Sequence, residues 1–228
     1  MRPMWLHGPR EGAASAFAQT RAPPRATPWR AAQWCAIDLE LTGLDARVND
    51  IIAIGAVPIE EGRVLLGQSA YTLVRSGRRS EHGAVLVHKL RLPDVADAPP
   101  LDEALDLLLS VLAGRVPVFH TAGVERRFLR PLFSRRRLRL PDAADTEVLG
   151  RVWLARRGET AEWVSLARVA ERLGVPAEPP HHALADAVTT AKSFIALASH
   201  LDEVEPQTVG TLIGARARPS GMRRFGPG

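Results

Sequence analysis

Cysteine is almost absent from this chain. Cys35 is the only one in 228 residues, so no intramolecular disulfide can form, and no Cys–His spacing suggests a zinc site. A chain of this length can bury a core without such staples. A single thiol fits a reducing compartment. No apolar run reaches the length of a transmembrane helix. The opening residues, MRPMWLHGPREG, lack the apolar stretch of a secretory signal. The expectation is a cytoplasmic protein with no membrane partner. Lysine is nearly missing too, with only Lys89 and Lys192. Genome composition alone can produce that imbalance, so it carries no weight.

Hydrophobic residues make up 46% of the chain and charged residues 24%, which are globular values. The length allows one α/β domain with tails. The net charge of +5 is unevenly placed. Residues 1–30 hold five arginines against Glu11, and residues 211–228 hold four arginines and no acid, which leaves the middle three charges negative. The two ends therefore read as polyanion-binding segments that supply most non-specific nucleic-acid affinity. One stretch of the middle breaks the trend: Arg126, Arg127, Arg130, Arg135, Arg136, Arg137 and Arg139. It reads either as a substrate-backbone contact or as a solvated helix face.

Residues 1–30, rich in Arg, Ala and Pro, read as a flexible arm with a short helix around Ala13–Thr20. Residues 31–205 read as the folded domain and 206–228 as a basic Pro/Gly/Arg tail. WCAIDLEL and IIAIGAVPIE are short, apolar and bounded by turn residues, as buried strands are. A third strand is expected from Val64 to Val74, after a hairpin turn at Glu61-Gly62. Leu101, Ala104, Leu105, Leu108, Leu109 and Leu112 recur at helical spacing before Gly114. VPVFH is a fourth strand, followed by helices over 124–137, 146–156 and 163–173. A last helix carries Leu184, Val188, Ala191, Ile195 and Ala198 on one face and ends near Leu201. This order predicts an α/β fold, a mixed sheet flanked by helices. In such sheets, sites lie at strand ends and the adjoining helix starts.

Two clusters carry chemistry. In DLELTGLD, side chains alternate across the strand, so Asp38 and Glu40 share one face and Leu39 and Leu41 the other. Two carboxylates ending a buried strand are costly unless a cation meets them, and a hard divalent ion suits oxygen ligands. The other reading is a pair of solvated turn acids. In HHALADA, His181 precedes Asp186 by five residues. A helix starting between them leaves the histidine in the entry loop and the aspartate in the first turn, where negative charge is favoured. A histidine so placed can act as a general base. His182 is an equal candidate on spacing alone.

These segments resemble the DEDDh 3′–5′ exonuclease family. DLELTG is similar to its D-x-E-T-x-G motif and HHALADA to its H-x-A-x-x-D-A motif. Between them, DTEVL (Asp145–Leu149) resembles D-T-x-x-L and VHKL (Val87–Leu90) resembles V-H-G-I. The resemblance runs from Trp34 to Leu201 and is nearest to the proofreading epsilon subunit of bacterial DNA polymerase III and its stand-alone relatives. It implies a ribonuclease-H-like sheet and two-metal hydrolysis with Mg²⁺ or Mn²⁺. The implied partners are single-stranded DNA or RNA 3′ ends, and a DNA polymerase. By the resemblance Asp38, Glu40 and Asp186 hold metal and His181, rather than His182, is the base. Thr42 lies near the terminal nucleotide, and Val87 and His88 wall its sugar and base.

The middle motif departs from the family's H-N-x-x-F-D. This chain has His120, Thr121, Ala122, Gly123, Val124 and Glu125. Glutamate is longer than aspartate by roughly 1.5 Å, and catalytic groups must be held within about 0.5 Å. Glu125 is expected to join the metal site, directly or through a water; the alternative is an ion pair with a nearby arginine. Activity is expected to be weakened. The competing functional reading is a catalytically degenerate nucleic-acid-binding module.

Overall fold

The computed structural model describes residues 12–159 and 164–216. Strand β1 (Trp34–Leu41) runs through the middle of the sheet. It pairs antiparallel with β2 (Ile51–Glu60) along its length, Trp34 opposite Ile59 and Asp38 opposite Gly55. Glu61 and Gly62 both take positive φ, the conformation of a tight hairpin turn, and lead into β3 (Arg63–Val64). The single third strand expected over 64–74 is interrupted. A 3-10 turn at Leu66–Gln68 separates β3 from β4 (Ala70–Leu73), and both pair with the same edge of β2. On the other side, β1 pairs parallel with β5 (Val116–Phe119), which pairs parallel with β6 (Ala144–Asp145).

Helices α1 (Gly12–Gln19), α2 (His82–His88), α3 (Leu101–Leu112) and α4 (Ala122–Arg135) precede β6. Helices α5 (Thr146–Arg156), α6 (Leu166–Leu173), α7 (Ala183–Asp202) and α8 (Val209–Ile213) follow it. The helix expected from residue 163 begins at Leu166, capped by Ser165; residues 160–163 lie outside the described part. The odd-numbered side chains of β1, Cys35, Ile37, Leu39 and Leu41, pack with α1, α3 and α4. Its even-numbered Trp34 and Ala36 pack with α5, α6 and α7. The sheet is therefore mixed and covered by helices on both faces, as the strand pattern predicted.

The arm and tail differ from expectation. Residues 12–31 are folded, not free: Ala14 and Phe17 of α1 are buried, and Phe17 meets Phe133 of α4 edge-on at 5.6 Å. Trp29 is fully buried beside Phe194 of α7. The tail closes over this segment. Trp29 N–H donates to the Gln207 carbonyl, Val209 N–H to Thr27 and Gly210 N–H to Arg25. The short helix expected around Ala13–Thr20 is present as α1, but a helix of two turns and an isolated Trp give no periodicity that shows them packed, so only the tertiary structure reveals the segment as part of the core. Residues 1–11 and 217–228, the outermost parts of the two charged ends, lie outside the described part. Among the described residues no helix is long and apolar enough to cross a membrane.

Candidate active site

The even face of β1 ends in Asp38 and Glu40, where α5 to α7 no longer supply an apolar partner. The register with β2 shifts between Glu40 and Leu41, an irregularity that re-aims side chains at a strand end. Asp38 stands opposite Gly55, and that glycine decides what lies over it. A Cβ on Gly55 would sit 2.2 Å from the Ala183 carbonyl oxygen, so only glycine lets the start of α7 rest directly on β2. Asp186, in the first turn of α7, is thereby brought beside both strand acids. One carboxylate oxygen from each of Asp38, Glu40 and Asp186 lies within 4.8 Å of the other two.

The histidine turn ahead of α7 is held from two sides. His181 has φ of 67°, and its N–H donates to Asp186 Oδ2 at 2.7 Å. The ring of His182 stacks on Tyr71 of β4 with centroids 4.5 Å apart. The two neighbouring histidines are thus separated: His182 is occupied with Tyr71, while exposed His181 lines a cavity with Asp38 and Asp186.

Glu125 approaches from the opposite layer. Thr121, at the cap of α4, adopts φ 61° and ψ 52°, a left-handed conformation that costs an ordinary L-residue about 1–2 kcal/mol. Asp145 holds it there. Its Oδ1 accepts from Thr121 N–H at 3.1 Å and Glu147 N–H at 3.0 Å, and its Oδ2 from Ala122 N–H at 2.9 Å. One carboxylate therefore caps α4 and α5 together. Glu125 follows in the first turn of α4, buried, its Oε2 without a hydrogen-bond partner. No arginine meets it in an ion pair among the described residues. It stands outside the group formed by the other three acids, yet its charge reaches Asp38.

Burial raises all four carboxyls. Asp38 lies well above the usual carboxylate range through burial and then the charges of Asp186, Glu125 and Glu40. Burial and the charge of Asp186 push Glu40 up to about 7. Burial pushes Glu125 up to about 8. Asp186 is raised by burial, against the opposing His181 N–H and ring. Glu40 Oε1, like Glu125 Oε2, is buried without a partner. Crowded, desolvated carboxylates with unused oxygens fit a hard divalent cation. Without one they repel, and each is driven toward its neutral form.

Two cavities adjoin this cluster. One of about 540 Å³ is lined by Glu40, Val87, His88, Thr121, Val124 and Glu125, among others. The other, about 350 Å³, is lined by Asp38, His181 and Asp186 with residues of α6 and α7. His120 lines both, its Nδ1 2.9 Å from Thr146 Oγ1, and burial lowers its pKa. Val87 is partly exposed, whereas His88 is buried, its Nδ1 accepting from Leu90 N–H at 3.0 Å and its pKa lowered by burial. Thr42 is fully buried. Its hydroxyl donates to Asn49 Oδ1 and accepts from Asp50 N–H, closing the 43–50 loop, while its neighbours Leu41 and Gly43 line the larger cavity. Gly55 and Tyr71 were not singled out from sequence, and Asp145 was named only as the start of the DTEVL motif, without a role. A glycine inside an apolar strand and an aspartate just before a helix were the available signals.

The RNase_T exonuclease family matches residues 35–194. A DNA polymerase III subunit epsilon-like protein of Rhodobacter capsulatus is 34% identical over 191 residues, 82% of this chain and 27% of that protein. A PolC-type DNA polymerase III of Thermotoga petrophila is 30% identical over 167 residues, 72% of this chain and 12% of that protein. The chain thus spans about a quarter or less of the length of these curated relatives. Among solved structures, exonuclease X in complex with 5′ overhanging duplex DNA superposes with a TM-score of 0.63 at 21% identity, covering 80% of this chain and 98% of that one. That likeness establishes the ribonuclease-H-like fold. Together with the family match across the catalytic motifs, it places the chain in the exonuclease family of the DEDDh type.

Proposed function

We propose that this protein removes nucleotides from the 3′ end of single-stranded DNA or RNA by metal-dependent hydrolysis. The observation that carries the reading is the convergence of buried Glu40 with half-buried Asp38 and Asp186, mutually repelling and, among the described residues, without an arginine or lysine paired to them. These three would hold two Mg²⁺ or Mn²⁺ ions, with Glu125 adding a fourth carboxylate from the α4 side. When bound, such ions lower the pKa of coordinated water and neutralise charge on the phosphoryl oxygens. His181 takes a proton from the attacking water at a ring nitrogen; it lines the same cavity as Asp38 and Asp186, while its neighbour His182 stacks on Tyr71. Val87 and His88 wall the larger cavity and receive the terminal sugar and base. Thr42 acts through the backbone it fixes, setting the Leu41–Gly43 edge of that cavity. A DNA polymerase is the proposed assembly partner, on the likeness to an epsilon-like relative.

One observation favours a second reading. Glu125 stands apart from the other three acids, which suits a module that grips a 3′ end without cutting it. Single-stranded oligonucleotides labelled at either end, incubated in EDTA, Mg²⁺ or Mn²⁺, separate the two. The expected result is immediate release of the 3′ label and stepwise shortening of the 5′-labelled strand, faster in Mn²⁺, which tolerates a displaced ligand better than Mg²⁺. Binding without cleavage in any metal would establish the gripping module. Undiminished cleavage in EDTA would overturn the metal assignment.

A further inference from the structure

Seven arginines crowd residues 126–139, and the structure sorts them by what each touches. Arg136 turns inward and meets Asp102 and Asp106 of α3, stapling two helices. Arg126 is partly buried and donates to the Pro141 carbonyl at 2.9 Å. Arg137 makes a left-handed turn after α4. Arg127, Arg130, Arg135 and Arg139 are exposed, and none of them meets a carboxylate in an ion pair among the described residues. Elsewhere Arg47, Arg78, Arg91, Arg115, Arg168 and Arg172 each meet an aspartate or glutamate, whereas Arg63, Arg75 and Arg79 are exposed without an ion pair among the described residues but are not gathered on one helix face.

The unpaired arginines of this stretch lie on one surface. Helix α4 buries Phe128, Leu129, Leu132 and Phe133, leaving Gly123, Arg127, Arg130, Pro131, Ser134 and Arg135 outside. Spacings of three and four keep that exposed set on one face. The face begins one residue from Val124 and two from Glu125, both of which line the larger cavity. It then runs about 18 Å to Arg135, at 1.5 Å per residue. Arg126 feels the charges of Arg130 and Arg139 as repulsion, with only Asp142 opposing them. Arg127 has Asp45 and Glu125 within reach of its charge, and a polyanion relieves the repulsion among the arginines that remains.

We propose that the exposed arginine face of α4, continued by Arg139, holds the backbone phosphates of the strand upstream of its 3′-terminal nucleotide. This rests on the exonuclease reading of the site for the direction of the strand, though not for the contact itself. The face is a fixed helix surface, so it grips phosphates without reading sequence.

The test uses the full chain with Arg127→Gln, Arg130→Gln and Arg135→Gln combined. A control carries Arg63→Gln, Arg156→Gln and Arg157→Gln, on β3 and the far end of α5. Binding of a labelled single-stranded 20-mer is followed in EDTA as salt is varied. Hydrolysis in Mn²⁺ is followed for the same 20-mer and for a p-nitrophenyl ester of thymidine 5′-phosphate, too short to reach α4. Each phosphate contact contributes about 0.7 to the salt slope of a single strand, so three lost contacts should lower it by about 2. KM for the 20-mer should rise about tenfold while turnover of the ester stays within twofold of wild type, and the control should match wild type throughout. An unchanged slope and KM in the α4 variant overturn the proposal, as does an equal fall in the control, which would mark a net-charge effect. If wild type cleaves neither substrate, the exonuclease reading fails, and the salt slopes in EDTA still decide whether α4 holds the phosphates.

Discussion

Asp38 and Asp186 contribute to the site by charge and little by packing. Asp38→Asn and Asp186→Asn should each lower metal-dependent hydrolysis at least a thousandfold, about 4 kcal/mol at the transition state, without lowering Tm in EDTA. Near-normal activity in purified Asp38→Asn would refute the assignment. The raised carboxyls also fix the pH dependence of the metal-free protein. Glu40 and Glu125 hold their protons in the fold to about 7 and about 8, whereas their ordinary value is 4.5. The unfolded chain therefore ionises first, so stability is full below about pH 4.5 and is lost as pH rises through 7 and 8. Melting in EDTA should show Tm falling over that window, and Glu125→Gln should flatten the fall. A Tm that climbs from pH 5 to pH 8.5 would contradict this. Cys35 offers a separate check. Burial pushes its thiol up to about 12. Iodoacetamide should leave it unmodified in the native protein and label it fully in guanidinium.

At the scale of elements, two contacts set where the proposed catalytic groups stand. The first is the rest of α7 on β2 at Gly55. Gly55→Ala forces an added carbon against the Ala183 carbonyl, so strand and helix must part. The expected cost is about 1–3 kcal/mol in stability. Activity should fall about a hundredfold as Asp186 moves away from Asp38. Full activity in a well-folded Gly55→Ala protein would show that the approach is not needed. The second is the double cap by Asp145. Thr121→Asn places there a residue that tolerates the left-handed conformation, and should raise Tm by a few degrees. Asp145→Ala removes both caps and should destabilise by about 2–3 kcal/mol. If Asp145→Ala melts like wild type, the cap on α4 is not what holds Glu125 at its depth.

At the scale of the whole molecule, residues 12–31 and 206–213 complete the fold. Trp29 fills the space between β1 and α7, against Phe194, while the 206–213 segment hydrogen-bonds across residues 25–29. Trp29→Ala should cost about 3–5 kcal/mol. Urea unfolding monitored by circular dichroism measures it. A loss below 1 kcal/mol would mean that the N-terminal segment is dispensable for the core. Residues 1–11 and 217–228, the outermost parts of the basic ends expected from composition, lie outside the described residues.

The sequence alone determined β1, β2, β5 and most of the helices, because alternation in β1 and the leucine spacing of α3 are local consequences of burying one face, whereas β6 and the break between β3 and β4 gave no such signal. It determined the pairing of Asp38 with Glu40 for the same reason, and the place of Asp186 in a first helical turn. Tertiary structure decided the rest. Nothing local announces that Gly55 is the bed for α7, or that Asp145 reaches across to cap α4, since both act on partners far away in the chain. For Thr42 the motif gave a place near the terminal nucleotide, and packing added what its hydroxyl does, bonding Asn49 and the Asp50 N–H of the following loop. The seven arginines of 126–139 look alike in sequence. Which of them staples α3 and which faces solvent depends on the rotation of α4 about its axis, and the buried Phe128, Leu129, Leu132 and Phe133 fix that rotation.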